Sequence, residues 1–390
     1  MNENSAPLEN PSRKPVLAYL VTEDWYFVSH RLPMARAAKQ AGFDVHVLTN
    51  VGRHGAAIEA EGFTLHPLAW RRGTLNPLAV AQVIMTVRRL YRSIGPDIVH
   101  HVGVQPSVIG SLAALGLPPA RINAMAGLGF AFTSRTLKAR AVGTVLSAML
   151  RLLLRSRRSI ALVQNPDDRA AMLALGVPEE QIALIPGSGV DVERLVPLAE
   201  PEGPVTAAFV GRLLDDKGVR TLIAAERLLR ERGRPIKLLL AGEADPANPA
   251  SIPPSEIASW RAAGIGLLGQ VADIRDVWKA AHIAVLPSRR EGLPMSLLEA
   301  AACGRAIVAT DVPGCREIAR RGINALLVPP DDPQALADAL EQLAAAPGLR
   351  RRFAAAGREL AESEFSTARI GRDILALYRR VPGAPSGSAG

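Results

Sequence analysis

Cysteine is almost missing from this 390-residue chain: Cys303 and Cys315 are the two, and neither sits in a CxxC pair. A disulfide framework and a cysteine-based zinc site are excluded, and a reducing cytosol is the expected compartment. Aromatic residues are scarce at 4%, and only six lysines stand against 40 arginines. Long hydrophobic runs are lacking. The longest uncharged stretch, residues 98–120, holds His100, His101 and Gln105 and is broken by glycine and proline. It reads as strand, turn and helix rather than as the roughly 20 lipid-facing residues of a span. The first 15 residues are polar and lack the apolar centre of a signal peptide. Charged residues are only 21% and apolar ones 48%, which excludes a mainly disordered chain. Glycine (33) and proline (30) follow no period, so collagen-like and low-complexity classes are excluded as well.

What is present is uneven. Residues 1–190 carry 20 Lys+Arg against 12 Asp+Glu, and residues 191–390 carry 26 against 25. No acid occurs between Asp97 and Asp167, where eight basic residues fall. A one-sided positive field points to an anionic partner: nucleic acid, a phosphorylated substrate or a lipid surface. No nucleic-acid-binding motif accompanies the charge, so nucleic acid is not expected.

The length fits two domains. Strand-like runs at Pro15–Thr22, Asp44–Thr49, Gly62–Leu68 and Asp97–His101 alternate with helical spacing, and a loop is expected over Glu23–Ser29. The rhythm restarts after Pro204, with strands at Val205–Val210, Ile236–Ala241, Ile283–Pro287, Ala306–Thr310 and Ala325–Val328. Helices fall at Val219–Arg232, Asp273–Ala281, Pro294–Cys303 and Pro333–Ala346. Alternation of this kind predicts an α/β chain of two parallel, doubly wound units. Pro186–Pro204 is the expected linker and Ser366–Arg380 a last amphipathic helix. Ligands of such sheets bind beyond the carboxyl ends of strands, so chemistry is expected in those loops.

Five constellations occupy them. Glu291-Gly-Leu-Pro-Met-Ser-Leu-Leu-Glu299 follows a strand, with Pro294 placed to open a helix. Either Glu299 lies on an exposed stripe, or it is a covered carboxylate that accepts from ligand hydroxyls while the amides of Leu293, Met295 and Ser296 face a phosphate. Gly211-Arg212-Leu-Leu-Asp-Asp-Lys217-Gly218 sets two cations at a strand end, suited to a diphosphate or to a solvated turn. Pro186-Gly-Ser188-Gly189-Val-Asp191 and Gly127-Leu-Gly129 are glycine-rich loops, and no GxGxxG fingerprint is present. Trp25-Tyr-Phe-Val-Ser-His30-Arg31 could hold an acceptor, or its aromatics could pack on the next helix. Arg135–Arg158 is basic, amphipathic and acid-free, either a helix lying on anionic lipid or a core helix with basic ends. No metal-ligand spacing and no nucleophilic triad is visible, so no metal and no cofactor are expected.

Glu291 and Glu299 at their spacing, Gly211-Arg212 with Lys217-Gly218, Gly189-Val-Asp191 and the two Rossmann-like halves resemble the family 4 retaining glycosyltransferases of the GT-B fold. The resemblance spans residues 15–380. Ser29-His-Arg-Leu-Pro33, Leu75-Asn-Pro77 and Gly127-Leu-Gly129 are similar to a bacterial subgroup that adds sugars to polyprenyl-diphosphate-linked acceptors in O-antigen, capsule and glycan assembly. The resemblance implies two Rossmann-like domains facing a cleft, at 14–190 and 191–365, with a helix at 366–380 crossing back. It implies a metal-independent enzyme, peripheral on the inner face of the plasma membrane, with a UDP-sugar held mainly by the second domain. Arg212 and Lys217 would neutralise the donor diphosphate. Glu299 would bind the ribose and Glu291 the transferred sugar, with Gly211, Gly292, Leu293, Pro294, Met295, Ser188 and Gly189 lining the donor site. His30, Arg31, Gly127 and Gly129 would meet a polyprenyl-linked or glycan acceptor. A histidine common in the family's first-domain loop has no counterpart in Ala126–Phe130. The alternatives are a nucleotide-sugar epimerase of the same shape and a non-catalytic protein that binds anionic lipid or polymer.

Overall fold

The computed structural model describes residues 13–70, 76–125, 147–246 and 248–381. Two all-parallel sheets organise them. The first has strands β1 (Val16–Glu23), β2 (Asp44–Asn50), β3 (Thr64–Pro67), β4 (Ile98–Val102), β5 (Ala120–Ala124), β6 (Ser159–Val163) and β7 (Ile182–Leu184), in the order β3-β2-β1-β4-β5-β6-β7. The second has β8 (Thr206–Val210), β9 (Lys237–Ala241), β10 (Gly266–Gly269), β11 (Ile283–Leu286), β12 (Ala306–Thr310) and β13 (Ala325–Val328), in the order β10-β9-β8-β11-β12-β13. Central strands are buried on both faces, which is why they read as unbroken apolar runs. Strand order reverses between β1 and β4 and again between β8 and β11. Each reversal opens a crevice at the strands' carboxyl ends.

The segment Glu23–Ser29, expected as a loop, is instead mostly helix, Asp24–His30. Asp24 is the reason. It is buried, and its carboxylate accepts from the amides of Trp25 (2.7 Å), Gly52 (2.7 Å) and His54 (2.8 Å). A carboxylate in the first turn also favours the helix electrostatically. Phe27 then packs edge-on against Tyr19. Pro294 is the N-cap of the helix Met295–Ala302 rather than its first residue.

The chain passes from the first sheet to the second through Pro186–Pro204 and returns at its end. The helix Thr367–Arg380 buries Ile370, Ile374, Leu377 and Tyr378 in the core of the first sheet. Tyr378 Oη lies 2.7 Å from Tyr19 Oη and 2.8 Å from His100 Nδ1. His101, one residue on, faces the other side and meets Asn123 and Tyr91. Val190 is hydrogen-bonded to the returning segment, its amide to Phe365 O and its carbonyl to Thr367 N. Gly189 has φ +77°, and a Cβ there would sit 2.9 Å from the Thr367 backbone, so only glycine fits this crossing. Among the described residues, no helix is long and apolar enough to cross a membrane.

Candidate functional site

The loops after β8 and β11 meet at the reversal of the second sheet. After β8, Gly211 donates its amide to Ala241 O, and Arg212 turns outward, its Nη1 2.6 Å from Asp245 Oδ2. A short turn, Asp215–Lys217, ends at Gly218 in the left-handed region (φ +69°), where a Cβ would run into the Pro287 carbonyl. That contact sets the two loops against each other and aims Lys217 across them. Lys217 Nζ lies 2.6 Å from Glu291 Oε1, and Ser288 Oγ donates to the same oxygen at 2.6 Å. Glu291 is nearly covered, at 8% side-chain exposure, so its charge is compensated where it stands. Among the described residues no group donates to Oε2, which is left for a ligand.

Gly292 offers its carbonyl to Asn165 Nδ2 at 3.0 Å, and buried Leu293 lies under Gly187. Pro294 then opens Met295–Ala302, which no side chain among the described residues caps. The amides of Met295 and Ser296 therefore carry the positive end of a helix. Glu299 stands inside this helix between buried alanines and leucines. Desolvation pushes its carboxyl up from an ordinary 4.5 to about 7, while Arg194 pulls the other way. Among the described residues no group donates to that carboxylate, so it keeps its full accepting capacity.

His30 approaches from the first sheet, at the end of the helix that follows β1. Its ring stacks on Tyr26 at 4.2 Å. Ser29 Oγ donates to Trp25 O and lies 2.6 Å from His30 Nδ1. Together with the stacking on Tyr26, this contact orients the imidazole. Burial, then Arg31, then Lys217 hold its pKa down at about 4, with Arg212 adding to the effect. The imidazole is neutral and lies within the field of the second sheet's two cations. Arg31 points elsewhere. It is 1% exposed and donates to His30 O and Ser188 Oγ, both at 3.0 Å. Ser188, also buried, donates to His30 O, so these two tie the linker under the first crevice.

The structure thus brings together Arg212, Lys217, Glu291, Gly292, Met295 and His30, with Glu299 one helical turn further in. Gly127 and Gly129 lie outside the described residues, as does Arg135–Arg158 up to residue 146. In the described remainder, Leu150, Leu153 and Leu154 are buried while Arg151, Leu152 and Arg155 are exposed. Sequence reading missed Asp245, Ser288 and Asn165. Asn165-Pro166 is legible as a helix start, but its contact with Gly292, 127 residues away, has no local signal.

Comparison with known proteins agrees with the two-sheet fold. Residues 16–165 match the model of glycosyl transferase 4-like domains, and residues 204–346 match that of glycosyl transferases group 1. The chain is 25% identical over 366 residues to the N,N'-diacetylbacillosaminyl-diphospho-undecaprenol alpha-1,3-N-acetylgalactosaminyltransferase of Campylobacter jejuni, covering 90% of this chain and 95% of that one. Its fold is shared with sucrose-phosphate synthase from Thermosynechococcus elongatus (TM-score 0.78, 21% identity, 94% of this chain and 99% of that one). It is shared also with Anabaena HepE in complex with UDP and glucose (TM-score 0.74, 17% identity, 94% and 100%).

Proposed function

Because the chain belongs to the group 1 glycosyltransferases, with the GT-B fold, we propose that it is a retaining enzyme. It moves a sugar from a UDP-sugar to a lipid-linked or polysaccharide-precursor acceptor in cell-surface glycan assembly. One observation carries the donor site: Arg212, Lys217 and the Glu291–Met295 segment follow the two strands flanking the reversal of the second sheet, with His30 opposite. The Campylobacter relative, named for a polyprenyl-diphosphate substrate, supports the acceptor class.

The chemistry follows from charge. As the anomeric carbon–oxygen bond breaks, negative charge grows on the departing diphosphate. Arg212, Lys217 and the amides of Met295 and Ser296 are fixed where that charge develops, and such preorganised groups lower the barrier without rearranging. Glu299 accepts from ribose hydroxyls and Glu291 Oε2 from a hydroxyl of the sugar. The acceptor hydroxyl attacks from the leaving-group side, its proton passing to a diphosphate oxygen as the new glycosidic bond forms. Configuration is retained and no protein nucleophile is required. His30, a neutral imidazole, hydrogen-bonds the acceptor. The exposed Arg151, Leu152 and Arg155 support docking on an anionic bilayer at the cytoplasmic face.

Lys217→Ala tests the donor site. Nucleotide release from UDP-sugars with a lipid-extract acceptor is expected to fall about 100-fold or more, well beyond the loss of melting temperature that leaving Glu291 without its cation brings. Unchanged turnover would refute the assignment.

A further inference from the structure

Asn165 stands where β6 runs into the helix Pro166–Ala174, and all of its side chain is engaged. It is 1% exposed. Oδ1 accepts from the Asp168 amide at 2.8 Å and caps the helix. Nδ2 donates to Asp168 Oδ2 at 3.0 Å and, from the first sheet to the second, to Gly292 O at 3.0 Å. A cap needs only an oxygen, and serine or aspartate supplies one as well. The amide adds two N–H donors. Asp168 takes one, and with Oδ1 fixed by the cap the other has a single direction, toward Gly292.

Gly292 is the residue between Glu291 and Leu293, two before the cap of Met295–Ala302. On its second-sheet side this loop rests on Gly314, where a Cβ would press on the carbonyls of both Glu291 and Gly292. One wall of the loop is therefore backbone of its own sheet. On the other, Gly187 covers Leu293, and among the described residues the Asn165 amide supplies the polar contact from the opposite sheet.

We propose that Asn165 is a positioning residue that fixes the Glu291–Pro294 loop from the opposite sheet, aligning Glu291 and the Met295 and Ser296 amides on the donor only while the two sheets are engaged. The inference rests on the donor-site reading above. Asn165 touches no reacting atom. It acts through the Gly292 carbonyl, so its loss changes donor handling and leaves acceptor binding alone.

Asn165→Ser keeps the cap and removes the amide. Asn165→Asp keeps the cap and turns a charged acceptor toward a carbonyl. For Asn165→Ser, kcat is expected to fall about 10-fold and donor KM to rise about 5-fold, with acceptor KM within about 2-fold and the melting temperature within a few degrees of wild type. Asn165→Asp is expected to lose more. UDP affinity by calorimetry needs no acceptor, and it is expected to weaken about 5-fold in Asn165→Ser. Wild-type kcat, donor KM and UDP affinity in Asn165→Ser would overturn the proposal, as would a change confined to acceptor KM. Lys217→Ala in the same assays separates the two readings. If it is inactive and Asn165→Ser is normal, only the positioning role fails. If Lys217→Ala is fully active, the donor site itself is wrong.

Discussion

Glu299 shows how a covered carboxylate costs stability when nothing in the described chain donates to it. Its carboxyl titrates near 7 in the folded chain and at an ordinary 4.5 when unfolded. Below 4.5 both states hold the proton and nothing is lost. As pH rises toward 7 the unfolded carboxyl ionises first, so the native state loses ground, and above 7 the penalty is complete. Glu299→Gln removes the titration. Its melting temperature is expected to exceed wild type at pH 8 and to match it near pH 4, while UDP affinity falls. Thermal scans at the two pH values check the first part and calorimetry the second. His30 is shifted for the opposite purpose. Its pKa of about 4 keeps it neutral throughout the physiological range, so the ring meets whatever lies between the sheets without a charge.

At the scale of elements, the turn Asp215–Lys217 and its closing Gly218 hold the site's geometry. Gly218→Ala places a Cβ both in the left-handed region and against the Pro287 carbonyl. The conformational part alone costs about 1–2 kcal/mol, and the collision forces the loops apart. A lower melting temperature with turnover reduced well beyond the stability loss is expected, measured by thermal scan and steady-state kinetics. This turn was legible in the sequence because a strand, a glycine and two cations occur in immediate succession. Glu291 and Glu299 were legible for the same reason, since they follow a buried strand and enter a helix. The helix Asp24–His30 was not. It is seven residues long, and what holds Asp24 in place are amides of Gly52 and His54, which no local pattern announces. Asn165 belongs with it. Its cap could be read from the chain, but its partner is brought near only by the folding of both sheets.

For the molecule as a whole, the separation of charge between halves acquires a direction. The excess of basic residues lies in the first half of the sequence, while Asp245, Asp215 and Glu291 pair with arginine and lysine in the second. Liposome flotation is expected to recover more protein with anionic than with neutral vesicles, and added salt is expected to reduce the difference. Equal recovery on neutral vesicles would remove the electrostatic account.

The two crossings between the sheets run side by side and are stitched at Val190 by hydrogen bonds to Phe365 and Thr367. A single peptide connection would let the lobes swivel and twist freely. A paired ribbon resists torsion while permitting a swing about its own line. Any parting of the two sheets about this ribbon costs the Asn165–Gly292 hydrogen bond, which ties the far side of the crossing.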